Sequence, residues 1–192
     1  MLFAANQPPV HGTDAPSEWV RRWSHLVPAG AAVLDVACGM GRHLRWFRAR
    51  GHPVTGIDRE PLAAQAAAAV GEGLQADIEN GPWPLAGRQF GGVVVTNYLW
   101  RPLLPAIVHS LAPGGVLIYE TFASGNETVG RPARPDFLLQ PGELLTACAG
   151  LRVVAYEDGF LDGPARFVQR IAAVQVPAGS LSPARHLLQA LS

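Results

Sequence analysis

The run Asp35-Val36-Ala37-Cys38-Gly39-Met40-Gly41 closes a short apolar stretch and opens a helical pattern. Glycines at such a junction allow a tight turn and a close backbone approach to a ligand. The free amides at the start of a helix favour an anionic group. A strand-to-helix turn with no ligand reads the same from this run alone, so the ends of the later apolar runs decide. The second run ends in Asp58-Arg59, and an acid about 20 residues past a glycine turn suits ribose hydroxyls. The third ends in Asp77-Ile78, where a carboxylate can accept from an adenine amino group while the apolar side chain packs on the ring. The fourth ends in Asn97-Tyr98-Leu99-Trp100-Arg101, an amide and aromatics that can pack a cofactor or substrate and face a cation. Together they point to a cofactor that contains adenosine.

Gly39 and Gly41 supply the first two glycines of a G-x-G-x-x-G dinucleotide fingerprint, but its last position is Leu44. A nicotinamide site needs glycine or alanine there for close helix packing. A nicotinamide-dependent oxidoreductase of similar fold is therefore the weaker alternative.

The elements that must hold these residues alternate. Strands are expected at Ala32–Val36, Val54–Ile57, Leu74–Ala76, Gly92–Leu99 and Val116–Thr121. Helices are expected at Met40–Arg50, Pro61–Val70, Pro102–Leu111 and Pro141–Ala149. Such alternation means βαβ units and a parallel sheet covered on both faces. The last strands, Leu151–Tyr156 and Phe167–Val176, are too close for a crossover helix, so the final one runs antiparallel in a hairpin. A first helix starts at Ser17 and runs to Leu26, with Trp19 and Trp23 on one face and a role in covering the cofactor. A last helix is expected at Pro183–Leu191. The expectation is one α/β domain, a Rossmann-like doubly wound sheet: an arm and helix over 1–29, a cofactor half over 30–122, a lid loop over 123–138 and a C-terminal half over 139–192.

Composition sets limits. The 192 residues suit a single core, and 15 basic residues cancel 15 acidic ones, so no broad field draws in a phosphate backbone. A nucleic-acid partner is not expected, and Arg42, Arg45, Arg48 and Arg50 read as a solvated helix face. The two cysteines, Cys38 and Cys148, form no metal-ligand cluster, and no metal is expected. No signal peptide and no apolar run of about 18 residues are present, which suits a cytoplasmic monomer or homodimer without membrane contact.

The run Val33–His43 resembles the first motif of class I S-adenosylmethionine-dependent methyltransferases, Gly56-Ile57-Asp58 resembles their second, and Leu111–Leu117 resembles the turn before their fifth strand. Gly41-Arg42-His43 and the small size are similar to the tellurite-resistance (TehB-like) branch. The resemblance implies a seven-stranded sheet with an antiparallel final strand and S-adenosylmethionine as cofactor. It implies that Asp35, Gly39 and Gly41 line the methionine part, Asp58 the ribose, and Asp77 and Ile78 the adenine; Ala37, Cys38, Arg59, Asn97 and Tyr98 are further cofactor-binding candidates. Ala37 stands where the family has glycine, which a negative φ would tolerate.

Methyl transfer is an in-line displacement, so the main task is to hold the acceptor and the methyl in line at close range. Catalytic candidates are Asn97, Tyr98 and Glu120, with Glu120 favoured as a strand-end hydrogen-bond acceptor. Candidates for a small-molecule acceptor are Trp100, Arg101, Phe122, Asn126, Glu127 and Arg131, with Arg134 nearby. His43 reads as a helix-surface residue. A domain that binds S-adenosylmethionine without catalysis is the remaining alternative.

Overall fold

The computed structural model describes residues 15–179 and 184–188. The arm over 1–14 lies outside them. Of the expected last helix, residues 184–188 are described and are not helical; the rest lies outside.

Ser17 caps α1 (Glu18–Trp23) by accepting the Val20 N–H at 3.3 Å, and a 3-10 turn, Ser24–Leu26, continues it. The strands are β1 (Val33–Val36), β2 (Val54–Asp58), β3 (Glu72–Gln75), β4 (Phe90–Thr96), β5 (Leu111–Phe122), β6 (Arg152–Asp162) and β7 (Ala165–Val174). The further helices are α2 (Arg42–Arg48), α3 (Pro61–Ala68), α4 (Leu104–His109) and α5 (Glu143–Ala147). Every interior helix is shorter than the sequence pattern suggests. Positive-φ glycines take its ends: Gly41 stands before α2, Gly51 after it, and Gly142 before α5.

The strands form one seven-stranded sheet in the order β3-β2-β1-β4-β5-β7-β6. The first five strands in sequence pair in parallel. β7 inserts between β5 and β6, antiparallel to both. The expected antiparallel final strand is thus present, and it turns the hairpin back into the sheet. β5 begins earlier than expected because Leu111 pairs with Phe90 before a bulge that resumes at Val116 opposite Gly92. Gly114, with φ +80°, makes that excursion and donates to Gln175 O at 2.7 Å.

Alternation along the strands divides the core. Leu34, Val36, Val93, Val95, Leu117 and Tyr119 pack with Ile107 of α4 and Leu144 of α5. Val33, Val94, Val116 and Ile118 pack with Trp19 and Trp23 of α1 and Leu44 and Phe47 of α2 on the other face. Each fully buried side chain of this size contributes about 1.5–3 kcal/mol. Trp19 and Trp23 therefore belong to the core and do not cover a cofactor; the Trp19 Nε1–H donates to Ile171 O of β7 at 3.2 Å. Among the described residues no helix is long and apolar enough to cross a membrane.

Candidate active site at the carboxyl ends of the strands

β1 and β4 are neighbours whose connections leave in opposite directions, and ligands of open α/β sheets bind at such a switch point. Both strands end there in strained backbone. Ala37 after β1 has φ +53° and Asn97 after β4 has φ +54°, and among the described residues they are the non-glycine positions in the left-handed region. A negative φ, the condition under which alanine would be tolerated at 37, is thus not met. The Ala37 methyl group sits in a conformation costing roughly 1–2 kcal/mol, and strain of this kind concentrates at ligand sites. Gly39 (φ +52°) and Gly41 (φ +74°) complete the turn.

The turn is pinned from β2. Asp58 Oδ2 accepts the Gly39 N–H at 2.8 Å and Oδ1 accepts the Glu60 N–H at 3.0 Å, and the Cys38 N–H donates to Ile57 O at 3.1 Å. Gly56 makes the close approach that the dinucleotide fingerprint assigns to a third glycine. A Cβ there would lie 2.6 Å from Leu44 Cδ1, 2.8 Å from Ala67 Cβ and 2.9 Å from Cys38 Sγ. Leu44 therefore does pack α2 tightly on the sheet, through a notch in β2. Cys38 is a buried packing residue; burial first, and then the charges of Asp35 and Asp58, push its thiol far above the usual range.

Asp35 is buried, and its Oδ2 is without a hydrogen-bond partner among the described residues. His43 Nδ1 lies 3.6 Å from that oxygen. His43 Nε2 accepts the Ser17 N–H at 3.2 Å, so the ring proton sits on Nδ1 and faces Asp35. His43 is buried, not on the helix surface as expected. Arg42 departs from the solvated-face reading too: it is half-buried, while Arg45, Arg48 and Arg50 are exposed.

On the adenine side Ile78 is buried. Asp77 caps its own turn, accepting the Glu79 N–H at 3.0 Å, the Asn80 N–H at 3.1 Å and Asn80 Nδ2–H at 2.9 Å. These bonds, led by Asn80, hold its carboxyl below the ordinary range. Tyr98 stands near Asp77, Glu79 and Arg59; burial first and then Glu79 raise its phenol well above the usual range. A phenol so raised donates at neutral pH and is not a base. Arg59 is exposed beside Glu60 at 3.5 Å.

The acceptor candidates separate. Trp100 and Phe122 are half-buried near the rim. Arg101 is a clamp: it holds Glu143 of α5 through Nε at 2.6 Å and Nη2 at 2.9 Å, Asp136 O at 2.8 Å and Leu138 O at 2.8 Å. Asn126 is buried, donating to Pro132 O at 2.9 Å and accepting the Phe167 N–H at 3.2 Å. Glu127 accepts the Gly125 N–H at 2.8 Å. These three hold the loop together instead of facing a ligand, because a connection over the rim must satisfy its own backbone groups. The loop over 123–138 carries local structure: 3-10 turns form at Asn126–Thr128 and Pro135–Phe137, and Ala123 bridges Leu139. Arg131 is exposed, and Arg134 pairs with Asp136 at 2.8 Å. Glu120 is buried, with Oε2 3.3 Å from Arg170 Nη1, and acts as a strand-end acceptor.

Sequence reasoning missed Arg166, whose Nη2 lies 3.8 Å from Glu120 Oε1. No local motif marks it, since it reaches the rim through the hairpin.

Residues 33–115 match the family model described as "Methyltransferase domain". Over that stretch the chain is similar to methyltransferase domains. A malonyl-[acyl-carrier protein] O-methyltransferase of Serratia marcescens is 33% identical over 141 residues, covering 64% of this chain and 54% of the relative. The chain thus spans about half the length of the curated relatives it matches. Among solved structures, TehB from Haemophilus influenzae superposes with a TM-score of 0.64 at 18% identity, over 79% of this chain and 60% of that one. An S-adenosylmethionine-dependent methyltransferase from Mesorhizobium loti superposes with a TM-score of 0.63 at 18% identity, over 85% of this chain and all (100%) of that one. At these identities the likeness is one of fold.

Proposed function

We propose that this chain moves a methyl group from S-adenosylmethionine to a small acceptor group, free or carried on a larger molecule. The observation that carries the reading is the Asp58–Gly39 hydrogen bond beside the uncommitted Asp35 oxygen. It supports a reading in which Asp58 takes the ribose hydroxyls and Asp35 an ammonium group, on either side of a positive-φ turn. These residues fit an amino acid joined to adenosine. Asp35, Gly39 and Gly41 would hold the methionine part, Asp58 the ribose, Ile78 and Tyr98 the adenine end, and Asn97 the crevice between β1 and β4. When bound, the cofactor supplies an electrophilic methyl carbon: the acceptor's lone pair bonds to it while the carbon–sulfur pair stays on sulfur.

The chain's own contribution is positioning. Asp58 fixes the glycine turn, the Arg101 clamp anchors the loop beside the crevice, and Glu120 is tied to Arg170. Burial raises the Tyr98 phenol and the Cys38 thiol above their usual range. The curated relatives are named for a malonyl group on an acyl carrier protein; such a group ends in a carboxylate, and a carrier-borne acceptor is the second reading.

Calorimetric titration with S-adenosylhomocysteine and with NAD tests this. Saturable binding of the first and none of the second is expected. Tight NAD binding with no response to S-adenosylhomocysteine would sink it. A chain that binds S-adenosylhomocysteine yet moves no labelled methyl to any acceptor would be a binding domain only.

A further inference from the structure

We infer that Arg166 binds a carboxylate of the methyl acceptor, an assignment that rests on the cofactor reading above. β7 pairs with β5 only from Val168 onward but with β6 down to Ala165. A two-stranded ribbon therefore overhangs the rim, carrying Arg166 and Phe167. Alternation puts Arg166 on the same face as Arg170, and so on the side of α1 and α2.

The guanidinium there is poorly served. Its side chain is only 24% exposed. Its Nε is shielded from solvent and has no hydrogen-bond partner among the described residues. Its ion pair with Glu120, at 3.8 Å, is too long for a hydrogen bond. Glu120 is already held by Arg170, whose Nε also donates to Glu157 at 2.7 Å. Arg42, the first residue of α2, is near enough to feel Asp35 first, then Glu120 and Arg166. A buried donor left unpaired costs about 1–3 kcal/mol, and native structures rarely leave one. The planar fork of arginine matches a carboxylate in geometry as well as in charge.

Position separates this group from the cofactor. The cofactor residues stand at the ends of β1 to β4, whereas β7 lies beyond β5 on the other side of the switch point. With strands about 4.8 Å apart, β7 lies about 10 Å to the side of β4, and Arg166 stands four residues beyond Arg170, the partner of Glu120. A carboxylate oxygen is ionised at neutral pH and attacks without losing a proton.

The test uses the full chain and the variants Arg166→Gln and Arg166→Lys. Each is titrated with S-adenosylhomocysteine, with 5′-methylthioadenosine (which lacks the amino-acid part) and, with S-adenosylhomocysteine saturating, with malonyl-N-acetylcysteamine and its neutral methyl ester. The wild type is expected to prefer the acid over the ester by about tenfold, on the order of 1.4 kcal/mol. Arg166→Gln should reduce that preference to about twofold or less with the other two affinities unchanged, and Arg166→Lys, with its charge but no fork, should retain part of it. A wild type without the preference, or an Arg166→Gln protein that keeps it, overturns the inference. Weaker S-adenosylhomocysteine binding with unchanged methylthioadenosine binding also overturns it, by moving Arg166 to the cofactor's own carboxylate. Should Arg166→Gln fail to fold, an Arg166→Lys protein with undiminished affinity for the acid is the overturning result, and a reduced affinity the supporting one. A wild type that ignores S-adenosylhomocysteine removes the cofactor reading itself, and this inference with it.

Discussion

The two halves of the rim are built differently. On the side of β1 and β2, the residues that the sequence marks as ligand-binding stand together, and one hydrogen bond, Gly39 N–H to Asp58, joins two motifs distant in the chain. On the side of β5 and β7, the marked residues turn inward. Asn126 and Glu127 bind their own loop and Arg101 clamps that loop and Glu143, while an unmarked residue, Arg166, takes the rim. Strand-end motifs report on a ligand because the backbone itself makes the site. Loop residues report first on the loop, because polar backbone groups must be satisfied before any side chain is spared.

The largest expected effect attacks the cofactor side. Asp58→Ala removes the acceptor for two backbone amides and the proposed ribose contact. Calorimetry should show S-adenosylhomocysteine binding weakened by about a hundredfold, roughly 2.7 kcal/mol; a change under threefold would break the contrast between the halves. Gly56→Ala is next, since the new methyl meets Leu44, Ala67 and Cys38 inside ordinary contact distance. Overpacking of this kind costs about 1–3 kcal/mol, read as a lower urea midpoint.

The acceptor side should respond in stability and not in cofactor affinity. Arg101→Ala should cost about 2 kcal/mol and speed tryptic cleavage at Arg131 and Arg134, with S-adenosylhomocysteine affinity unchanged. The clamp also has a sign in pH. Burial pushes the Glu143 carboxyl up, but the Arg101 hydrogen bond, the Gln140 N–H and the Arg101 charge together hold it below its ordinary 4.5. A depressed carboxyl stabilises the fold above that value and loses its contribution as pH falls through the lower folded value. The difference in unfolding free energy between wild type and Arg101→Ala should therefore be flat at neutral pH and shrink in acid below about pH 4.5.

The smallest effect sharpens the strain argument. Ala37→Gly relieves a positive φ at the cost of a looser unfolded chain, and should be neutral or stabilising by up to about 1 kcal/mol. A loss of stability would mean that the alanine methyl contributes packing that outweighs its strain.

How much was legible follows the same division. The positions of Asp35, Gly39, Gly41, Asp58 and Ile78 in or just beyond the carboxyl ends of strands were readable, because apolar runs of strand period precede them. His43 was misread as a surface residue because nothing local says that α1 packs against α2 and that Ser17 bonds the ring. Trp19 and Trp23 were correctly placed on one helix face, but the partner of that face, the core over β5 and β7, is a matter of tertiary packing.

By itself the sequence determined the alternation of strands and helices, the parallel order that follows from crossover lengths, and the glycine turn. These depend on backbone conformation and hydrophobic period, which neighbouring residues set. Only the tertiary structure decided that Ala37 and Asn97 are strained, that Gly56 in β2 gives α2 its close approach, and that Arg166 crosses the hairpin to face Glu120. Each of these depends on which atoms meet from segments far apart in the chain, and no local period encodes such a meeting.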